Sequence, residues 1–310
     1  MAAGDLVTRP GHIQYGPLLL GPGTPYRWKK LTGWDELPAL DSGTVPRASA
    51  HGAFPGRLLA QARTIGLDGL MVRAPRARIG AVVGALNAGT ALVEDERPLV
   101  VWLDDRGPLL THARAVRRIV PTGIGYRTGS IHDCAVEWEA SDPRRYALAE
   151  QVATGRLPAP EPGLDWHTTP GPERLSWPLE VGTPGSTGAL SATNAGDAPA
   201  HPVIEFRGPV ERPSLTKTGT GEVLEYDLPL AADDVLTVDT GAGTVILNGA
   251  ASRIGTASNR SVPEQTFTLA PGELVGDVVV PTTTPLIFRA APGSTDPAAS
   301  VTVRWRSAYW

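Results

Sequence analysis

The stretch of this 310-residue chain that most resembles catalytic machinery is Leu236-Thr237-Val238-Asp239-Thr240-Gly241-Ala242. An aliphatic strand running into Asp239-Thr240-Gly241-Ala242 is the way an aspartic protease presents its carboxylate. Two such aspartates then share one proton, because like charges that close cannot both ionise. A homodimer could supply the second copy. The supporting parts do not follow, however. Such folds need a later aliphatic-aliphatic-glycine strand and a helix to brace the loop, together with a glycine-rich flap. Ile254-Gly255 comes too soon, and nothing after Val280 supplies the rest. Gly241-Ala242-Gly243 reads instead as a tight turn between two core strands, closed by Asp239.

Other chemistries leave still less trace. No glycine loop is followed by the Lys-Ser/Thr that cradles a phosphate, no cysteines are paired, and no His-Glu-x-x-His run occurs. The histidines (His12, His51, His112, His132, His167 and His201) are scattered, and none pairs with another at ligand spacing. Cys134 is the single cysteine, so an internal disulfide framework is excluded. Its place in an alternating run points it inward, as a small buried hydrophobe rather than a reactive thiol.

Composition narrows the class. Hydrophobic residues make up 41% and charged ones 19%, values of a folded chain with a core. The longest purely aliphatic run, Leu18-Leu19-Leu20, is far too short for a helix that spans a bilayer. Asp5 and Arg9 fall where a secretory signal would need its apolar region. Residues 1–155 hold 18 basic against 15 acidic side chains, and residues 156–310 hold 10 against 17; the halves are +3 and −7, which sum to the net −4. Neither half carries a dense basic stripe, so sequence-reading nucleic-acid binding has no electrostatic basis.

The elements follow from periodicity. Residues 13–20 and 26–31 read as strands separated by Gly21-Pro22-Gly23. Residues 32–56 form a long proline- and glycine-rich segment with scattered apolar anchors, Trp34, Leu37, Leu40 and Phe54. A structureless loop of that length is a lid, a binding loop or an arm to another subunit. Residues 57–72 resume a strand pattern, interrupted at Asp68-Gly69. Residues 75–88 are the one helix expected, opened by Pro75 and stopped by Gly89. Ile79, Val82, Val83 and Leu86 make its core stripe. Its opposite face is Ala77, Gly80, Ala81, Gly84 and Ala88, where an ordinary surface helix would carry Glu and Lys. Two interior glycines each cost roughly 1 kcal/mol against alanine, which suggests that something approaches the backbone closely there.

Strands follow at residues 99–103, 109–120 and 130–140. In the last of these His132, Cys134, Val136, Trp138 and Ala140 alternate with charged residues, and Pro143 ends the run. Residues 1–156 therefore form a first domain and residues 157–178 a proline-rich spacer. Residues 179–310 form a second domain of short strands and recurrent turns, a β-sandwich of jelly-roll type. Trp305, alternating with Val301 and Val303, points into its core.

A series of motifs runs along the chain, beginning with Tyr26-Arg27-Trp28, Gly33-Trp34 and His51-Gly52-Ala53-Phe54-Pro55-Gly56. It continues with the helix after Ala74-Pro75 and the run from Trp138 to Tyr146 around Ala140-Ser141-Asp142-Pro143-Arg144. In the second half it comprises Asn194-Ala195-Gly196-Asp197-Ala198-Pro199, Pro202-Val203-Ile204-Glu205-Phe206, Val238-Asp239-Thr240 and Val245-Ile246-Leu247-Asn248-Gly249. In this order the motifs resemble the distal tail protein (siphovirus tail component) family of long-tailed bacteriophages, particularly those of actinobacteria. Usage of 25 arginines against three lysines also fits a GC-rich genome.

The resemblance implies a mainly β protein. Its N-terminal domain is β-sandwich-like, with one helix and a long belt loop, and its C-terminal domain is a galectin-like sandwich. It implies a structural role without enzyme activity, cofactor or metal: a sixfold hub ring at the distal end of the virion's tail, assembled in the host cytoplasm. The implied partners are other copies of the chain, the tail tube protein, the tail-tip protein, the tape measure protein and receptor-binding proteins. DNA passes through in transit, and no membrane is entered. Trp34, Phe54, Ala77, Gly80, Ala81, Gly84 and Ala88 become the expected subunit contacts. The competing reading is a carbohydrate-binding module, with Trp166, Trp177, Tyr226 or Tyr309 as sugar platforms.

Overall fold

The computed structural model describes residues 2–159 and 185–310. The chain divides into two compact units, Met1–Ala149 with Ala308–Trp310, and Glu150–Ser307. The expected boundary at residue 156 therefore moves upstream. Gln151–Arg156 is a strand of the second unit, paired antiparallel along its length with Ser300–Trp305. Ala308–Tyr309, at the chain's end, pairs with Arg145–Ala147 in the first unit. Strand pairing between segments about 150 residues apart leaves no local periodicity to mark it. Residues 160–178 of the expected spacer lie outside the described residues.

The first unit is built on a ten-stranded sheet ordered Leu18–Leu20, Ile13–Tyr15, Arg97–Trp102, Pro108–Ile119, Ser130–Ala140, Arg63–Arg73 and Tyr26–Arg27, with branches at Lys30–Thr32 and Arg145–Ala147. Pro108–Ile119 does most to shape it. The first half of this strand pairs with Arg97–Trp102 and the second half with Ser130–Ala140, across a bulge between Ala115 and Arg117. A bulge bends its strand, so the two parts of the sheet face each other over a common core. Tyr15 and Trp138 meet in that core with ring centroids 5.8 Å apart, and the Ala115 amide donates to the Tyr15 hydroxyl at 3.1 Å.

The strand Ser130–Ala140 has the expected limits but not an unbroken alternation. Asp133 sits at φ +58°, and register shifts on either side of Cys134 leave Ile131 buried and His132 exposed. Cys134, Val136, Trp138 and Ala140 do point inward. Burial, followed by the nearby Asp133 charge, pushes the Cys134 thiol up to about 11. Asp68-Gly69 proves to be a bulge within one continuous strand, Arg63–Arg73, with Gly69 at φ +63°.

The helix spans Ile79–Gly89 rather than beginning at Pro75. The Ala74 amide is held by the Gly129 carbonyl, and Pro75 to Arg78 close as a turn in which the Arg78 amide donates to Pro75 at 2.7 Å. Ile79, Val83 and Leu86 are buried, and the Tyr26 hydroxyl ties the helix down through the Val82 carbonyl at 2.7 Å. A second helix, the single turn Gly125–Thr128, was not expected from the sequence.

The second unit is a β-sandwich. One sheet orders Gln151–Arg156, Ser300–Trp305, Val203–Arg207, Val235–Asp239, Thr244–Leu247 and Ala251–Ser252; the other orders Ala189–Asn194, Thr282–Arg289, Ser214–Lys217 and Val223–Glu225. Phe206 from the first sheet packs on Phe288 from the second, centroids 5.9 Å apart, and edge-on against Tyr226. Val301, Val303 and Trp305 are buried, and the Trp305 indole donates to the Thr193 carbonyl at 2.8 Å. Glu225 is buried, and the Arg260 guanidinium lies 3.4 Å from its carboxylate.

Candidate assembly surfaces

Residues 32–56 are not structureless. They open a hairpin arm in which Leu40–Asp41 pairs with Leu59–Ala60 and Val45–Pro46 pairs with Ala53–Phe54. Arg47 and Gly52 close the tip through a 3.1 Å backbone hydrogen bond. Leu37, Leu40, Val45, Phe54, Leu58 and Leu59 are all exposed on it, Phe54 at 60%. The Arg47 guanidinium covers the Phe54 ring at 4.9 Å. A two-stranded ribbon with apolar side chains in water is marginal by itself.

The root of the arm is built very differently. Trp34 is 3% exposed and belongs to the first unit's core. It is an internal anchor, which corrects its expected role as a subunit contact. The buried Arg63 guanidinium donates through Nη1 to the carbonyls of Gly33 at 2.7 Å, Trp34 at 3.0 Å and Glu36 at 2.7 Å, and through Nε to Pro143 at 2.6 Å. Burial, then repulsion from Arg145, lowers its pKa to about 10, which leaves it charged at neutral pH. Arg145 stacks its guanidinium 5.7 Å from the Trp34 ring and ion-pairs with Asp35. Burial would raise the Asp35 carboxyl, but hydrogen bonds from Arg145 and Arg106 outweigh it and hold the pKa below the usual range. Asp142 is held down in the same way by Arg144 and Tyr146, against its own burial. The run Ala140-Ser141-Asp142-Pro143-Arg144 is thus the far half of a clamp on the arm's root.

On the helix Ile79–Gly89, Gly80, Ala81, Gly84 and Ala88 are exposed, as is Ala77 in the preceding turn. A Cβ added at Gly80 or Gly84 would meet no atom within 4 Å. Among the described residues nothing approaches the two glycines, which are therefore unexplained by packing within the unit.

The catalytic candidate has a structural role. Asp239 Oδ1 accepts from the Gly241 and Ala242 amides, both at 2.9 Å, and caps the turn between Val235–Asp239 and Thr244–Leu247. Thr240 is buried against the Pro202 carbonyl at 2.8 Å. The Asn194 side chain bridges Ala198, Ala270 and Gly196, and Asn248, at φ +51°, ties Val235 to Asp234. The recurring motifs of the second half are therefore turn locks. Of the proposed sugar platforms, Tyr226 is sealed in the core with its hydroxyl on Glu264 at 3.2 Å, and Tyr309 pairs with Arg145 in the first unit. Trp166 and Trp177 lie outside the described residues. Among the described residues no cluster of His, Cys, Asp or Glu could hold a metal, and no helix is long and apolar enough to cross a membrane.

Fold and surfaces together describe a mainly β protein of two units with an anchored, exposed arm. Residues 195–289 match the model of the siphovirus-type tail component, C-terminal domain. Over 96% of the chain and 99% of the other, the structure is similar to the crystal structure of SPP1 Dit, described as a paradigm of the hub adsorption apparatus in phages infecting Gram-positive bacteria, with a TM-score of 0.62 at 12% identity. A chain of the phage P2 baseplate in its activated conformation with Ca matches at a TM-score of 0.46 and 10% identity, over 90% of this chain and 97% of that one. No curated protein matches the sequence. Residues 195–289 of the second unit thus match the siphovirus-type tail component, and over both units the chain has the fold of SPP1 Dit.

Proposed function

We propose that the chain builds the hub ring at the distal end of the tail tube. Six copies close around the DNA passage and join the tube to the tail-tip and baseplate proteins. The observation that carries this reading is the arm: an apolar hairpin, exposed along its length, whose root is fastened to the core by Arg63. A ribbon held so firmly at its base and left uncovered by the described residues is suited to lie along a neighbour. The small-residue face at Ala77, Gly80, Ala81, Gly84 and Ala88 is the second contact of the ring, open to close backbone approach. Phe54 is the arm's largest exposed anchor.

The long strand Pro108–Ile119 supports passage of DNA without recognition. Its Arg114 and Arg117 are matched to Glu139 and Glu137, and Arg118 is taken up by the carbonyls of Asn87 and Thr90. Tail tube, tape measure and receptor-binding proteins are the further partners of such a hub, and an actinobacterial host accords with the arginine usage. Electron microscopy and sedimentation of the purified full chain test the reading. Sixfold rings are expected, and a chain that stays monomeric when concentrated, with its arm intact, would overturn it.

A further inference from the structure

The second unit carries another unpartnered ribbon, unrelated to the arm. Glu273–Val275 and Val278–Val280 form a hairpin that belongs to neither sheet of the sandwich and, among the described residues, has no further strand on either edge. Its turn is Gly276-Asp277, with Gly276 at φ +67°. The base is held by the Gly272 amide on the Gly196 carbonyl at 2.7 Å. The register, Glu273 with Val280, Leu274 with Val279 and Val275 with Val278, puts Val275, Val278 and Val280 on one face and Leu274 and Val279 on the other. Both faces are open: Leu274 is 72% exposed, Val275 60% and Val278 58%.

Charge decides between the possible occupants. The hairpin carries Glu273 and Asp277, and no basic residue occurs between Arg260 and Arg289. The same hairpin from a second copy would bring acid against acid, which is destabilising across paired strands. An anionic bilayer would repel it for the same reason. A strand that offers apolar side chains and positive charge satisfies both the open edges and the acids.

We propose that the 273–280 hairpin is a docking strand for an extended, apolar, basic segment of a different protein, added edge-to-edge. Main-chain hydrogen bonds along the free edge supply affinity, the alternating valines and Leu274 supply register, and Glu273 and Asp277 select the basic partner. Because the surface lies in the second unit alone, the proposal does not depend on ring formation.

The test uses the full chain and two labelled strand-forming peptides of alternating valine and threonine, one ended by lysines and the other by glutamates, followed by fluorescence anisotropy. The lysine peptide should bind at least about tenfold more tightly than the glutamate peptide, the equivalent of about 1.4 kcal/mol. Binding should weaken by a similar factor in L274D and in V279D, and the preference should fall in E273Q/D277N. Unchanged thermal melts would show that the variants fold, as is expected for exposed positions. Equal binding of the two peptides, binding unaltered by L274D and V279D, or no binding at millimolar peptide would overturn the proposal. So would sedimentation of the chain with anionic vesicles, or self-association lost only in the hairpin variants.

Discussion

Arg63 and Pro143, eighty residues apart in the chain, are joined by a 2.6 Å hydrogen bond from Nε to the carbonyl oxygen. The same guanidinium holds Gly33, Trp34 and Glu36, so a single side chain fastens the root of the arm to the end of the central strand. Arg63→Ala would leave buried carbonyls without donors, at a cost of about 1–3 kcal/mol for each one unsatisfied. The first unit should lose about 3–5 kcal/mol, as when one member of a buried charged network is removed. Arg63→Lys keeps the charge but lacks the planar fork that spans these oxygens. It should keep the fold while making residues 36–61 quick to nick with protease. An arm as resistant in R63K as in the parent would show that the clamp does not set it.

The ring reading places the helix face in a close contact. Ala81→Arg should change the chain's own stability by no more than roughly 0.5 kcal/mol, because the position is exposed. It should abolish assembly, because an arginine cannot fit a close backbone contact without burying an unpaired cation. Sedimentation and thermal melts separate the two effects. Rings formed as well as by the parent would return this face to solvent.

The two carboxylates of the clamp, Asp35 and Asp142, have pKa values held below the ordinary range. Groups depressed by folding stabilise the native state fully above their unfolded pKa, near 4. That contribution is lost as pH falls through the lower folded value. The parent should therefore exceed Asp142→Asn in melting temperature at neutral pH, and the gap should close only in acid below pH ~4. A gap that is constant from neutral to acid would exclude Asp142 from the linkage.

Strand pairing within each unit sets the limits of a separable fragment. Residues 150–307 should give a soluble β protein with a cooperative melt. Residues 179–310 lack the strand Gln151–Arg156, leave Ser300–Trp305 as a bare edge, and should be less stable or aggregate. In the 150–307 fragment Trp305→Ala should cost about 3–5 kcal/mol. Equal melts for the two fragments would argue against the upstream boundary.

Asp239→Asn retains an acceptor oxygen for the Gly241 and Ala242 amides, so the turn should survive with stability unchanged within about 0.5 kcal/mol. Phage assembly and infectivity should be as for the parent. A folded D239N chain that yields unprocessed tail proteins would bring proton transfer at this position back into consideration.

Sequence periodicity alone determined the mainly β class, the strand at residues 130–140, the core stripe of the helix, the inward Trp305 and the hairpin at Asp239. Each of these depends on neighbours a few residues apart, where a period of two or 3.6 registers directly. The order of the motifs, too, was enough to suggest a tail component. What the tertiary structure decided is non-local. That Trp34 is a core anchor while Phe54 is free depends on Arg63 and Arg145, which reach it from other strands. The bulge at Asp133 that turns His132 outward arises from the register with Arg63–Arg73. The strand Gln151–Arg156 is assigned to the second unit by a partner about 150 residues away, and no pattern within its own six residues could reveal that pairing. The apolar residues of the 273–280 hairpin read as ordinary core strands in sequence. In the fold no layer among the described residues covers them, and they lie on the surface.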